Sequence, residues 1–374
     1  MLEQRIITSD ESYKELNDYL HENQVRRIFL VCGSSITFLR IGKYFDSLEM
    51  NTGIKVIYFT NFKPNPCLES VIEGISLFHQ ENCDMIIAVG GGSAMDVAKC
   101  VKLYSNMDHN ISYFKQVIMP NDIKLLAVPT TAGSGSEATR YAVIYFNGEK
   151  QSISDYSIIP SAVLMDPTVL ETLPLYQKKS TMMDAFCHAL ESFWSVNSTE
   201  QSKDYSKEAI RLILENKNSY FKNHDAGNAN MLYAANIAGK AINITQTTAG
   251  HAMSYKLTSL YGIAHGHAVA LCVARLWPYM LEHLDKSVDP RGTNYLCTVF
   301  SEIAEAMGST SPEDAVQIYQ KILDNMEFVN PTIISEKEYE LLRTSVNPVR
   351  LKNNPVELDI EVIDSLFHQI LGGY

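Results

Sequence analysis

Four residues in the C-terminal half have the types and spacing of a metal site. Asp184 and His188 stand at i and i+4 in the stretch STMMDAFCHALESFW, so a helix there puts both side chains on one face. His251 and His265 follow, with Gly262 between them as a break that can fold the second histidine back beside the first. One carboxylate and three imidazoles suit Fe²⁺ or Zn²⁺, whereas Mg²⁺ or Ca²⁺ would take an all-oxygen set. An ion held this way is a Lewis acid that can polarise a carbonyl.

A second kind of chemistry is written in the first half. Gly90-Gly91-Gly92-Ser93 follows the apolar run Met85 to Val89 and leads into a helical stretch from Ala94 to Leu103. Glycines there let the backbone approach a pyrophosphate at a helix N-terminus, and Ser93 is placed to cap that helix. The loop Pro129-Thr130-Thr131-Ala132-Gly133-Ser134-Gly135-Ser136-Glu137 also follows an apolar run. Two small, hydroxyl-rich loops at strand C-termini are where doubly wound sheets bind nucleotides. The exit of the first long strand, Cys32-Gly33-Ser34-Ser35, has no carboxylate to accept bonds from a ribose 2′-hydroxyl, and Arg40 lies a short way into the next helix. A 2′-phosphate needs space and donors, so Gly33, Ser34 and Ser35 predict NADPH as the preferred cofactor, with NADH as the alternative.

The elements that must hold these groups follow from hydrophobic period. Arg27–Cys32, Ile54–Thr60, Met85–Val89 and Lys124–Val128 read as buried strands, most followed by helices. Strand and helix at that spacing indicate a parallel doubly wound sheet. A β-rich patch, Tyr141–Phe146 and Ser161–Met165, has Asn147-Gly148 as a hairpin turn. Beyond Asp166-Pro167 nearly everything from Gln177 to Gly372 has helical period, with breaks near Gly262, Pro290 to Gly292 and Pro312. The division predicts a Rossmann-like dinucleotide-binding domain over 1–172 and an all-helical metal-binding domain over 173–374, with the site in the cleft between them.

Composition narrows the function classes. The 374 residues hold 31 Lys and Arg against 43 Asp and Glu, a net charge of −12 that repels polyanions and argues against nucleic acid as a partner. Seven scattered cysteines without a CxxC pair suit a reducing interior. The N-terminus has no apolar signal region, and the richest apolar stretch, Ala264–Leu281, is interrupted by His265, His267 and Arg275. These features predict a cytoplasmic protein with no membrane partner.

Taken together, Gly90-Gly91-Gly92-Ser93-x-x-Asp96-x-x-Lys99, the Pro129–Glu137 loop, Asp166-Pro167, Asp184-x-x-x-His188-x-x-Glu191, His251 and Ala264-His265-Gly266 are similar to the motifs of the iron-containing (group III) alcohol dehydrogenases, over essentially the full length. The resemblance implies an α/β fold with a Rossmann-like parallel sheet followed by an all-helical domain, and a homodimer. It also implies a divalent metal, iron above all, on Asp184, His188, His251 and His265. The dinucleotide would lie on Gly91, Gly92, Ser93, Asp96, Thr130, Thr131 and Ser134, with Lys150 near its ribose or nicotinamide. The chain departs from the family at Tyr255, where members usually carry a histidine. A tyrosine is both donor and acceptor, so Tyr255 is a candidate proton carrier, with His267 as the other. Within the family, Phe193–Ser198 and Ala249–Lys256 look most like the branch that reduces phosphonoacetaldehyde to 2-hydroxyethylphosphonate. Its dianion would need cations, for which Arg140 and Lys256 are the candidates, with Arg275 beside them. Other readings are the same scaffold acting on another small aldehyde or diol, a metal-dependent lyase like the dehydroquinate synthases, and a non-catalytic dinucleotide or metal binder.

Overall fold

Apolar runs bounded by turn residues become strands wherever both sheet faces are covered. A computed structural model describes residues 4–332, 335–346 and 348–372. In order come β1 (Arg5–Thr8), α1 (Lys14–Glu22), β2 (Arg27–Cys32), α2 (Arg40–Thr52), β3 (Lys55–Phe59), α3 (Leu68–Gln80), β4 (Met85–Gly90), α4 (Gly92–Tyr104) and β5 (Lys124–Pro129). A hairpin of β6 (Tyr141–Phe146) and β7 (Glu149–Ser154) follows, and then β8 (Ala162–Met165). Positive φ at Asn147 (52°) and Gly148 (77°) gives the tight turn that twisted hairpin strands require.

The six-stranded sheet is parallel throughout, in the order β1-β8-β5-β4-β2-β3. Strands β4 and β8 are buried along their whole length and β2 and β5 along all but the first residue, which is why these strands read as continuous apolar runs. The four-residue β1 was not anticipated; a short edge strand carries too little period to be seen. The sequence grouped Ser161–Met165 with Tyr141–Phe146, but β8 joins the parallel sheet and β6 pairs only with β7.

Strand order sets where a ligand can go. From β2 the chain turns outward to β3, then crosses back over β2 to β4. Loops leaving β2 and β4 therefore diverge at a topological switch point, the place where open α/β sheets hold ligands. Cys32 pairs in register with Val89, so Gly33 and Gly90 leave the sheet side by side.

The helices are α5 (Leu175–Trp194), α6 (Glu200–Phe221), α7 (Asp225–Thr245), α8 (Ala249–Tyr261), α9 (His265–Glu282), α10 (Thr293–Ala306), α11 (Pro312–Asp324), α12 (Glu336–Thr344), α13 (Pro348–Leu351) and α14 (Ile360–Leu371). Two compact units result, Met1–Leu173 with Asn223–Leu232, and Pro174–Lys222 with Tyr233–Tyr374. Residues 223–232, which the sequence placed in the helical half, group with the first unit. Within the second unit α5 packs on α6 and α9, and α9 on α8. Both α5 and α9 are buried around most of their circumference, as expected of central helices. No described helix is long and apolar enough to cross a membrane.

Candidate active site

Helical period on α5 puts Asp184 and His188 on one face, and Gly262, at φ 66°, ends α8 so that α9 can return beside it. His251 near the start of α8 and His265 at the start of α9 are thereby brought to the same carboxylate. The Asp184 Oδ1 atom lies 3.9 Å from His188 Nε2, 3.5 Å from His251 Nε2 and 3.9 Å from His265 Nε2. One ligand atom each from Asp184, His188 and His251 can be chosen so that all lie within 4.8 Å of one another. The His188 and His251 rings stack at 4.4 Å, and His265 meets His251 at 5.5 Å.

These donors fit a divalent ion. Asp184 Oδ1 and His251 Nε2 are both buried and neither has a hydrogen-bond partner, which is costly unless a cation completes them. Burial pushes the Asp184 carboxyl up, but His188, His251 and His265 beside it hold it well below the usual carboxylate range. A ligand that stays deprotonated is what a metal requires.

Glu191, one turn beyond His188 on α5, was legible only as part of a motif; its role is visible in the fold. Its buried carboxylate accepts from the Thr248 N–H (3.2 Å), the Thr248 hydroxyl (2.9 Å), the His251 N–H (3.1 Å) and His251 Nδ1. The last bond places the imidazole proton on Nδ1 and turns the Nε2 lone pair toward Asp184, the outer-shell device that orients metal-bound histidines. Burial lowers the His251 pKa, but Glu191 and Asp184 push it up to about 9. Gly250 and Gly266 allow this closeness: a Cβ on Gly250 would fall 2.5 Å from Glu191 Oε1, and one on Gly266 2.0 Å from the Ser180 carbonyl oxygen.

The two proton-carrier candidates separate. Tyr255 lies against the cluster, its ring parallel to His265 with centroids 5.4 Å apart. Burial raises its pKa, so the phenol is neutral and can donate. His267, two residues past His265, is turned by the helical rotation toward other partners: Nδ1 is 3.1 Å from the Tyr176 hydroxyl and the ring stacks on Phe328 at 4.2 Å. Burial pulls its pKa down to about 4, so it is a neutral packed histidine. The cations separate as well. Arg140 leans on the rings of Tyr141 (5.0 Å) and Tyr156 (4.6 Å) and donates to the Tyr156 hydroxyl. Lys256 is half-buried on α8, next to Tyr255.

In the first unit the glycine loop and the threonine loop meet. Gly91 stands at the N-cap of α4, so Ser93 sits inside its first turn instead of capping, and no side-chain cap bond closes that end. A Cβ on Gly91 would lie 3.4 Å from the Thr131 hydroxyl, and one on Gly92 3.8 Å from Ser134 Oγ. The Thr130 N–H donates to the Gly90 carbonyl at 3.1 Å, closing the second loop onto the first. The result is a backbone cradle at a helix N-terminus, which fits a pyrophosphate. Lys99 explains the remainder of the motif: its Nζ donates to the carbonyls of Ser136 (2.6 Å), Thr139 (2.8 Å) and Tyr141 (2.7 Å), fastening that loop to α4. Burial pushes the Asp96 carboxyl up, while Lys99, the Val143 N–H and Lys150 on β7 draw it back.

Beside Gly33 lies a cavity of about 510 Å³ lined by Ser34, Thr37, Gly42, Asp46, Tyr58 and Thr60 among others. A Cβ on Gly33 would meet nothing, so the expected room is present, though Ser35 is not part of the lining. Two features were missed. Asp46 on α2 brings a carboxylate to the wall, accepting from the Tyr58 hydroxyl at 2.6 Å. Arg40 is engaged elsewhere, 3.3 Å from the buried Asp166 carboxylate and 3.1 Å from the Tyr13 hydroxyl.

Known proteins are similar to this chain in sequence and fold. The model of the iron-containing alcohol dehydrogenases matches residues 3–167, and that of the C-terminal part of the Fe-containing alcohol dehydrogenase family matches residues 178–371. The chain belongs to the iron-containing alcohol dehydrogenase family. It is 28% identical to aldehyde-alcohol dehydrogenase 2 of Entamoeba histolytica, covering 86% of this chain but only 39% of that protein. It is 29% identical to the phosphonoacetaldehyde reductase of Streptomyces viridochromogenes, over 76% of this chain and 75% of the relative. The crystal structure of sulfoacetaldehyde reductase from Bifidobacterium kashiwanohense in complex with NAD⁺ has the same fold, with a TM-score of 0.88 and 24% identity over 99% and 98% of the two chains.

Proposed function

We propose that the protein is a metal-dependent, NAD(P)-linked alcohol dehydrogenase that works as an aldehyde reductase on short aldehydes bearing an anionic group, phosphonoacetaldehyde among them. The observation that carries the reading is the convergence of Asp184, His188 and His251, with His265 Nε2 3.9 Å from Asp184 Oδ1 and two buried ligand atoms left without hydrogen bonds. When bound, the metal supplies Lewis acidity for the carbonyl and the nicotinamide supplies hydride. Glu191 orients His251 and holds its proton on Nδ1. The Tyr255 hydroxyl, neutral beside His265, donates a proton to the oxygen of the forming alcohol and recovers it from solvent. The pyrophosphate is assigned to the backbone amides of Gly91, Gly92 and Ser93, with Asp96 beside that helix start and Lys150 on the ribose or nicotinamide side.

The relatives named for phosphonoacetaldehyde and sulfoacetaldehyde support an anionic substrate. With the enzyme loaded with Fe²⁺ or Zn²⁺, phosphonoacetaldehyde is expected to be reduced with a kcat/KM at least about tenfold above that of propanal, since a charge-assisted bond is worth about 1.5–3 kcal/mol. Equal efficiency on the two aldehydes rejects the anionic substrate class.

Asp46 shifts the nucleotide reading from NADPH to NADH. A 2′-phosphate beside that carboxylate would be repelled, and no lysine or arginine lines the cavity to offset it, Arg40 being bound to Asp166. Fluorescence titration of the apo-nucleotide site is expected to give tighter binding of NADH than of NADPH. Asp46→Ser should narrow the gap by up to roughly tenfold, the effect being limited by solvent screening at an exposed carboxylate. Tighter NADPH binding by the wild type would reject Asp46 as the discriminating group.

A further inference from the structure

Arg350 lies on α13 in the helical unit. Its guanidinium Nη1 donates to the Thr247 hydroxyl oxygen at 3.3 Å, and α13 packs against α8, the helix that carries His251 and Tyr255. Tyr255 stacks on His265, whose Nε2 faces Asp184. A fixed positive charge thus stands beside the helix whose Tyr255 stacks on a member of the metal-ligand cluster.

Several part-buried arginines of the chain have a carboxylate partner. Arg40 is paired with Asp166, Arg291 with Asp289 and Arg343 with Glu340. Among the described residues Arg350, also half-buried, forms no ion pair with a carboxylate. A half-buried guanidinium without a counter-charge keeps donors free for an anion. The segment is also pinned: Asn353 Nδ2 donates to the Thr247 carbonyl at 3.1 Å, and the Val196 N–H donates to the Asn353 carbonyl at 3.0 Å. A guanidinium held in place offers a planar fork of donors, which matches two oxygens of a tetrahedral oxyanion.

We infer that Arg350, positioned by Thr247, binds the anionic group of the substrate, and that the substrate class is a short aldehyde carrying a tetrahedral phosphonate or sulfonate close to the carbonyl. The inference rests on the aldehyde-reductase reading above and assigns its charge recognition to a residue that neither the motifs nor their spacing singled out. It displaces Arg140, whose guanidinium is held by two tyrosines.

The test compares wild type, Arg350→Ala, Arg350→Lys and Arg140→Ala in the metal-loaded enzyme, with phosphonoacetaldehyde, sulfoacetaldehyde and propanal as substrates. Arg350→Ala is expected to lower the ratio of kcat/KM for the charged aldehydes over propanal by roughly ten- to a hundredfold, mostly through KM, and Arg350→Lys to restore part of it. Inhibition constants for ethylphosphonate and ethanesulfonate should rise in parallel, and whichever anion loses more identifies the preferred oxyanion. If the wild type prefers charged aldehydes and Arg350→Ala keeps that preference, the inference is overturned and the reductase reading stands. A proportional loss on all three aldehydes makes Arg350 structural and also overturns it. A wild type indifferent to charge rejects the anionic-substrate reading itself.

Discussion

Replacing His265 by alanine is expected to remove the bound divalent metal and nearly all turnover while leaving nucleotide affinity close to that of the wild type. His265 is the most open of the four candidate ligands, with 36% of its side chain exposed against 8% for Asp184, 7% for His188 and 1% for His251. His267, two residues on, is held by Tyr176 and Phe328 and cannot swing in to replace it. Losing one of four protein donors leaves Asp184, His188 and His251, a set that binds more weakly and keeps an extra position open to water. The cradle proposed for the pyrophosphate, at Gly91, Gly92, Thr131 and Ser134, lies in the first unit, so it is not expected to depend on this side chain. Metal analysis of the purified variant, assayed beside NADH titration, checks the result; full metal content and full activity would remove His265 from the ligand set.

Gly266→Ala tests the backbone that carries that ligand. The added Cβ would lie 2.0 Å from the Ser180 carbonyl oxygen and 2.8 Å from Asp184 Cβ. Both belong to α5, so no side-chain rotation relieves the clash and α9 must move away from α5. Overpacking of this kind costs about 1–3 kcal/mol, and more when backbone must shift. For a unit of this size about 2–4 °C of Tm is lost per kcal/mol, so a fall of several degrees is expected, together with reduced metal content as His265 and Asp184 separate. An unchanged Tm with normal metal loading would show that α9 accommodates the methyl group without moving, and the close packing would then have no part in holding the site.

Where a feature depends on local period, the amino-acid sequence determined it. Asp184 and His188 share a face because 3.6 residues make a turn, and Gly262 marks the end of α8 because it takes the positive φ that most side chains resist. The strands β2, β4 and β5 were legible as apolar runs, and Gly90 to Ser93 as a strand-to-helix loop, since each is a property of contiguous residues. Tertiary structure decided the rest. Arg40 looked available to a 2′-phosphate, but folding brings Asp166, from the far end of the first unit, to its guanidinium. Asp46 was an ordinary helical acid until the return of β3 set Tyr58 and Gly33 beside it. Glu191 became the partner of His251, and Arg350 a neighbour of Thr247, across 60 and 103 positions of chain. Such pairings are set by how α5, α8, α9 and α13 pack, and packing depends on the fit of whole faces, which no short stretch of sequence contains.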